Sequence, residues 1–287
     1  MQQQAVEGRW LMIYNIDYAY TSNVGLVRGN QEDNFWCDGS FMPQVNSGTT
    51  GVFTGTMNAE DVPAFAVFDG MGGESFGEAA SWLAAEGFGE YYKDNKKDFR
   101  QDPRSYTEEV SKYMNRKVCA FAEENHIRSM GSTAVMVLFG DDWYAASNLG
   151  DSRIYALKDK KLSQISTDHV FRGGGYRKPP LVQYLGLEES EGDLEPSFVR
   201  EKITPGVRIL LCSDGVTDMI EDDELEKLMA MEESVEKVAE RILNTALEHG
   251  GRDNTTLILL EASGVQKKQG FGEFLRGLFG RRKKSEQ

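Results

Sequence analysis

The stretch Ala66-Val67-Phe68-Asp69-Gly70-Met71-Gly72-Gly73 runs an apolar segment into a carboxylate and then into three glycines. Glycines let a backbone approach a ligand closely, so a phosphate-binding loop is the first chemistry to test. A Walker loop would close on Gly-Lys-Ser/Thr, and this stretch contains no lysine. A dinucleotide fingerprint counted from Gly70 would need glycine at 75, where Ser75 stands. Both fail, and Asp69 itself is left to explain. Other acids stand in similar places: residues 207–212 (VRILLC) end in Ser213-Asp214-Gly215, Asp253-Asn254 precede the apolar residues 255–260, and Glu32-Asp33 precede Phe35-Trp36. One Asp-Gly after a strand is usually only a turn, and Asp253-Asn254 could equally be one. Their joint occurrence points further. If neighbouring strands bring these ends together, carboxylates converge in a partly buried place, where they repel one another unless a cation neutralises them. The donors would be nearly all oxygen, which selects a hard ion such as Mg²⁺ or Mn²⁺. Zinc is disfavoured, because no CxxC occurs and His126, His169 and His249 lack paired spacing.

Strands and helices must hold these acids. Residues 64–68, 132–139, 143–148, 153–157, 207–212 and 255–260 read as strands, apolar or β-branched and bounded by Gly and Asp. The turns at 139–143 and 149–152 look like hairpin connections and predict antiparallel pairing. Residues 74–92, 106–124 (after Asp102-Pro103) and 233–251 carry helical periodicity, the last through Val235, Val238, Ala239, Ile242, Leu243, Ala246 and Leu247 before Gly250-Gly251. Strands and helices come in groups rather than as strict βαβ units, which predicts an α+β fold with antiparallel sheets and helices outside them. One domain, 1–263, followed by a tail, 264–287, is the simplest division. A formal charge of −14 argues against a nucleic-acid surface. Three scattered cysteines, Cys37, Cys119 and Cys212, fit a reducing compartment rather than a disulfide framework. The N-terminus lacks a basic and apolar leader, and no apolar run approaches the roughly 20 residues that span a bilayer, so a cytoplasmic location is expected.

In order, VGLVRGNQEDNFW, AVFDGMGG, GSTAVMVLF, NLGDSRIYAL, STDHV, RILLCSDGVTDMI and GGRDNTTLILL extend over residues 24–261. Together they resemble the metal-dependent Ser/Thr protein phosphatases of type 2C, in their compact bacterial branch. The resemblance implies a β-sandwich of two antiparallel sheets flanked by helix pairs, and a centre of two Mn²⁺ or Mg²⁺ ions with a third, weaker site. It implies that Asp69 bridges both metals, that the Gly70 carbonyl ligates one of them, and that Glu32 serves that same ion directly or through its water. Asp214 and Asp253 would hold the other ion, Asp151 with Asp214 the third, Asp33 would orient a metal-bound water, and Arg28 would grip the substrate phosphate. Two metals about 4 Å apart lower the pKa of a bridging water and clamp in-line attack. A planar guanidinium matches phosphate oxygens bidentately. No covalent nucleophile is needed, and Cys212 leads into Ser-Asp-Gly rather than a phosphate-cradling loop with arginine.

The sequence departs from the family at several points. Met71 stands where many eukaryotic relatives have a histidine, so a metal-bound water is the expected proton donor, with His169 a structural residue at the start of the flap. Gln31 replaces the usual Asn. The flap, VFRGGGYRKPPLVQY, is short, and its Arg172, Arg177 and Lys178 are expected to hold phosphoprotein substrates. Residues 36–63 read as a long polar connection. The implied partners are phosphorylated proteins and an opposing Ser/Thr kinase, with the chain a monomer. A narrower reading is a phosphatase dedicated to one phosphoprotein, such as an anti-sigma-factor antagonist. A rival from another class is a catalytically dead relative that binds a partner, against which the retained Arg28, Asp69, Asp214 and Asp253 speak.

The tail reverses the sign of the chain. Residues 265–287 carry seven basic residues against two acidic ones, a net of +5 that leaves −19 for the rest. Phe271, Phe274, Leu275, Leu278 and Phe279 fall on one helical face ahead of Arg281-Arg282-Lys283-Lys284. That is the form of an interfacial helix attracted to anionic lipid, or of a segment that docks on an acidic partner. Gly270, Gly272, Gly277 and Gly280, at about 1 kcal/mol each in a helix, weigh toward a disordered tail instead.

Overall fold

The computed structural model describes residues 10–72, 76–175 and 178–268. In chain order these form β1 (Trp10–Asn23), β2 (Asp33–Cys37), β3 (Phe53–Asn58), β4 (Ala64–Gly72), α1 (Gly77–Asn95), α2 (Pro103–Glu124), β5 (Met130–Ser132), β6 (Ala134–Phe139), β7 (Trp143–Leu149) and β8 (Arg153–Lys158). The chain continues through β9 (Lys161–Gln164), β10 (Ser197–Lys202), β11 (Arg208–Cys212), α3 (Asp214–Thr217), α4 (Asp222–Met229), α5 (Val235–Glu248) and β12 (Thr255–Lys268). One sheet has the order β3-β1-β12-β11-β8-β9, the other β10-β7-β6-β4-β2, with β5 on the far end of β4. All these pairings are antiparallel.

Side-chain alternation explains the layering. Successive residues of a strand point to opposite faces. Phe65 and Val67 of β4 join Ile209 and Leu211 of β11 and Ile258 and Leu260 of β12 between the sheets. Their neighbours Ala64, Ala66 and Phe68 face α1 and α2, through Ala80, Leu83, Ala84, Phe88, Val110 and Met114. Leu210, Cys212, Leu257 and Leu259 face α4 and α5, through Leu225, Val238, Ile242 and Ala246. Strands buried on both faces have no polar side to show, which is why VRILLC and TTLILL read as unbroken apolar runs. The result is helices, sheet, sheet, helices, as expected. Two helix starts are set by their caps. Asp102 accepts from Ser105 N ahead of Pro103 at the first turn of α2, and Ser234 accepts from Lys237 N at the start of α5.

The structure departs from the sequence expectations in four places. The turn at 149–152 is not a hairpin: β7 pairs with β6 and β10, β8 with β9 and β11, so Gly150, at φ +94°, carries the chain from one sheet to the other. Its neighbour Asp151 therefore sits at the join between sheets. The expected strand 132–139 is two strands, broken at Thr133. Residues 36–63 are not a bare connection; they supply β3, the edge strand beside β1. The last strand does not stop at Leu260, because β1 pairs with it from Asn23↔Thr255 through Trp10↔Lys268, five residues past the domain boundary at 263. Beyond Lys268 the tail lies outside the described residues.

Candidate metal centre

Antiparallel pairing places the acids at one end of the sandwich. Asp33 opens β2 and faces Asp69 near the end of β4 as a paired residue. The end of β11 lies beside the start of β12, with Cys212 opposite Leu257, so Ser213-Asp214 and Asp253-Asn254 meet there. Ser213 couples the two sheets: its Oγ donates to Asp33 Oδ2 at 2.8 Å and accepts from Thr256 N at 3.0 Å. Thr133, at the break between β5 and β6, accepts from Asp69 N at 3.0 Å and shares a 2.7 Å hydrogen bond with Ser152 Oγ, beside Asp151.

The loop carrying Arg28 and Glu32 is clamped by one side chain. Asn254 Oδ1 accepts from Glu32 N at 2.7 Å, and its Nδ2 donates to Val24 O and Asn30 O, both at 3.0 Å. Glu32 O accepts from Gly70 N at 3.1 Å, which brings the loop to the end of β4. Gly70 is required here by space. A Cβ on it would lie 2.0 Å from Gly77 O and 2.5 Å from Glu32 O, both backbone atoms.

Burial and mutual repulsion shift the acids upward. Asp33, 1 % exposed, has its pKa pushed up to about 7, by burial first, against the hydrogen bonds from Ser213 and Thr256, and with further lift from Asp214 and Asp253. Burial, then Asp214, Asp33 and Asp151, holds Asp69 well above the usual carboxylate range. Burial and Asp214 raise Asp151 to about 6. Glu32 is raised by burial, opposed by Arg28, with Glu78 adding to the rise. An acid group this crowded favours protons or cations over bare charge.

Two cationic side chains answer it. Arg28 Nη2 donates to Asp253 Oδ2 at 2.7 Å, and Lys178 of the flap forms an ion pair with Asp214. Arg172 is exposed on the flap, and Arg177 lies outside the described residues. Of the predicted residues, Arg28, Glu32, Asp33, Asp69, Gly70, Asp151, Asp214, Asp253 and Lys178 are thus linked into one region, and Arg172 is not tied to it. Among the described residues no three Asp, Glu, His or Cys side chains are drawn round one point as a closed ligand shell. The chemistry of the donors nonetheless fits hard divalent cations. It is all carboxylate and carbonyl oxygen, it has a backbone cradle at Gly70 that a Cβ would fill, and an ammonium already stands on Asp214.

Sequence reading missed two acids and several clamps. Glu78, in the first turn of α1, lies beside Glu32 and has a buried Oε2 with no hydrogen-bond partner among the described residues. Asp218 follows Asp214 by four residues, and its carboxyl is raised by partial desolvation and by Asp214. Helical spacing from Asp214 could have found Asp218, whereas no sequence signal marked Ser213, Thr133 or Asn254 as hubs. Gln31 in place of Asn keeps a role, donating to Ser22 Oγ at 2.9 Å and accepting from Asp33 N at 3.2 Å. His169 is half-buried, and its backbone joins Gly150 to the flap. Cys212 is fully buried, with its thiol pushed up to about 12 by that burial, the opposite of an activated nucleophile. A cavity of about 800 Å³ beside α2 is lined by Arg104, Lys112, Arg116, Glu189 and Asp193, and by none of the predicted site residues.

An antiparallel sandwich with an oxygen-rich acidic end defines a class, and comparison with known proteins gives it a family. Residues 53–250 match the model of protein phosphatase 2C. The chain belongs to the protein phosphatase 2C family. That match contains Asp69, Asp151 and Asp214, while Arg28, Glu32, Asp33 and Asp253 lie outside it. The chain is similar to the serine/threonine phosphatase stp of Listeria welshimeri, 29 % identical over 238 residues, covering 77 % of this chain and 92 % of that one. It is 28 % identical over 255 residues to the serine/threonine protein phosphatase PstP of Mycobacterium tuberculosis, covering 85 % of this chain and 44 % of the relative. The crystal structure of the PstP catalytic domain in complex with two manganese ions superposes with a TM-score of 0.69 at 26 % identity, covering 87 % of this chain and 99 % of that one.

Proposed function

We propose that the acidic end of the sandwich hydrolyses phosphoserine and phosphothreonine esters in proteins with the help of two divalent cations, Mn²⁺ or Mg²⁺. The observation that carries this reading is the pairing of Asp33 with Asp69 across β2 and β4, beside Asp214 and Asp253 at the β11–β12 end. Glu32, Asp69 and the Gly70 carbonyl would hold one ion, Asp69 with Asp214 and Asp253 the other, and Asp151 with Asp214 a weaker third. Such ions, when bound, supply acidified water near neutral pH and neutralise phosphoryl charge.

The remaining chemistry belongs to side chains. Asp33, held by Ser213 through Oδ2, would orient the attacking water. Arg28, on an exposed loop and free to exchange its Asp253 partner for phosphate, orients the ester and offsets its charge. Met71 has no proton to give, so the leaving alkoxide takes its proton from solvent held in the centre. Phosphorylated proteins are the substrates, and an opposing kinase follows from that reaction.

Turnover of p-nitrophenyl phosphate tests the reading. Activity is expected with added Mn²⁺, none with excess chelator, and recovery on re-addition. Turnover that persists through chelation would overturn the two-cation reading.

A further inference from the structure

The turn that leads into Arg28 shows two aliphatic side chains to solvent. Leu26 is 68 % exposed and Val27 69 %, directly before the arginine in sequence. Single exposed apolar residues are common on protein surfaces, so exposure alone decides nothing. What sets this pair apart is the backbone beneath it. Leu26 N donates to Gly251 O at 2.7 Å, and Gly25, at φ +81°, is packed so tightly that a Cβ on it would stand 2.4 Å from Asp253 O. Asn254 Nδ2 donates to Val24 O before the pair and to Asn30 O after it, both at 3.0 Å. The turn is anchored through its main chain, with most of both side chains left in water. The same contacts fix its place beside the guanidinium. Arg28 Nη2 reaches back to Asp253 Oδ2, on the segment against which Gly25 lies, so the guanidinium and the two aliphatic chains stand on one small patch.

Phosphoserine and phosphothreonine are short side chains, so a phosphate held by Arg28 keeps the substrate backbone near this patch. The residues on either side of it follow at about 3.8 Å per Cα step. We propose that Leu26 and Val27 are specificity-determining residues that take up an apolar side chain of the substrate next to its phosphorylated residue. This rests on the phosphatase reading above, with Arg28 as the phosphate-orienting group. Covering two mostly exposed aliphatic chains removes apolar surface from water. Because the turn is already anchored, the contact costs little ordering on the enzyme's side. A polar neighbour of the same size on the substrate would lose hydration there and gain no partner.

The test compares two phosphoserine peptides that differ only in the residues flanking the phosphoserine, Leu in one and the near-isosteric Asn in the other. Mn²⁺-dependent kcat/KM is measured for the full chain, for Val27→Thr, and for Leu26→Gln combined with Val27→Thr. Met12→Gln serves as the control, an exposed apolar residue at the far end of β1. A methylene in a closed pocket is worth about tenfold or more and an open surface less, so the parent is expected to prefer the Leu peptide about fivefold. The preference should fall to about twofold in Val27→Thr, vanish in the double variant and persist in Met12→Gln. A uniform loss on both peptides in the double variant, with the preference kept, overturns the proposal. So does a parent that turns over both peptides alike, and either result leaves the phosphatase reading standing. No Mn²⁺-dependent turnover of either peptide by the parent overturns that reading and the proposal together.

Discussion

In the two-cation reading, Asp69 and Asp214 would carry different parts of the same task. Asp69 sits near the end of β4 with its amide fixed by Thr133, and Asp214, Asp33 and Asp151 act on its carboxyl. Asp214 closes β11 and meets the flap. Replacing either by Asn keeps the shape but turns one acceptor oxygen into a donor and removes the charge that a divalent ion needs. Each substitution is expected to lower Mn²⁺-dependent turnover by about 10³-fold, roughly 4 kcal/mol of barrier, with circular dichroism unchanged. Near-parental turnover in either would remove it from the ligand set. Arg28→Ala should behave differently, because a phosphate-orienting guanidinium acts on substrate. Turnover should fall while Mn²⁺ affinity measured by calorimetry stays within a few fold. Loss of metal in that variant would make the Arg28–Asp253 pair structural instead.

At the scale of elements, the site depends on backbone contacts that admit no substituent. A Cβ on Gly215 would stand 1.9 Å from Asn254 O, so α3 and the start of β12 can touch only through glycine. Gly215→Ala should lower thermal stability by about 1–3 kcal/mol and weaken Mn²⁺ binding, since the shift falls on Asp214 and Asp253 at once. Asn254→Ala takes the partner from the Val24 and Asn30 carbonyls and from the Glu32 amide, all in part-buried hydrogen bonds. Its expected cost is about 2–3 kcal/mol in a denaturant titration, with the Arg28–Glu32 loop loosened. An unchanged midpoint would show that the loop is held elsewhere. These clamps mark where sequence reading ran out. The acids were legible because each closes or opens an apolar run, and the sandwich was legible because buried strands lack a polar face. β1 offered a signal that went unread, as Tyr14, Ile16 and Tyr18 alternate with Asn15 and Asp17 and face the inter-sheet core. The Gly150-Asp151 turn was misread for a physical reason. A tight turn between two strands looks the same whether the second strand pairs with the first or crosses to another sheet. Ser213, Thr133 and Asn254 were illegible because their roles arise from partners far away in sequence, which no local pattern encodes.

At the scale of the molecule, a strongly acidic body ends in a basic, aromatic tail. Among the described residues no helix is long and apolar enough to cross a membrane. The basic, aromatic tail is the candidate for contact with an anionic membrane surface. Because β12 pairs with β1 as far as Lys268, a fair comparison removes only residues 269–287. The full chain should co-sediment with anionic vesicles at low salt and be released at high salt, while the shortened chain stays in the supernatant. If both remain in the supernatant, the tail does not bind lipid. The proposed function stands on a pair of cations at the end of the sandwich where the two sheets bring Asp33, Asp69, Asp214 and Asp253 together. Anomalous diffraction at the manganese edge, from crystals of the full chain grown with Mn²⁺, tests it most directly. The account predicts two peaks roughly 3.5–4 Å apart with Asp69 between them, one toward Glu32 and the Gly70 carbonyl and the other toward Asp214 and Asp253. A single peak, or peaks that leave Asp69 untouched, would contradict it.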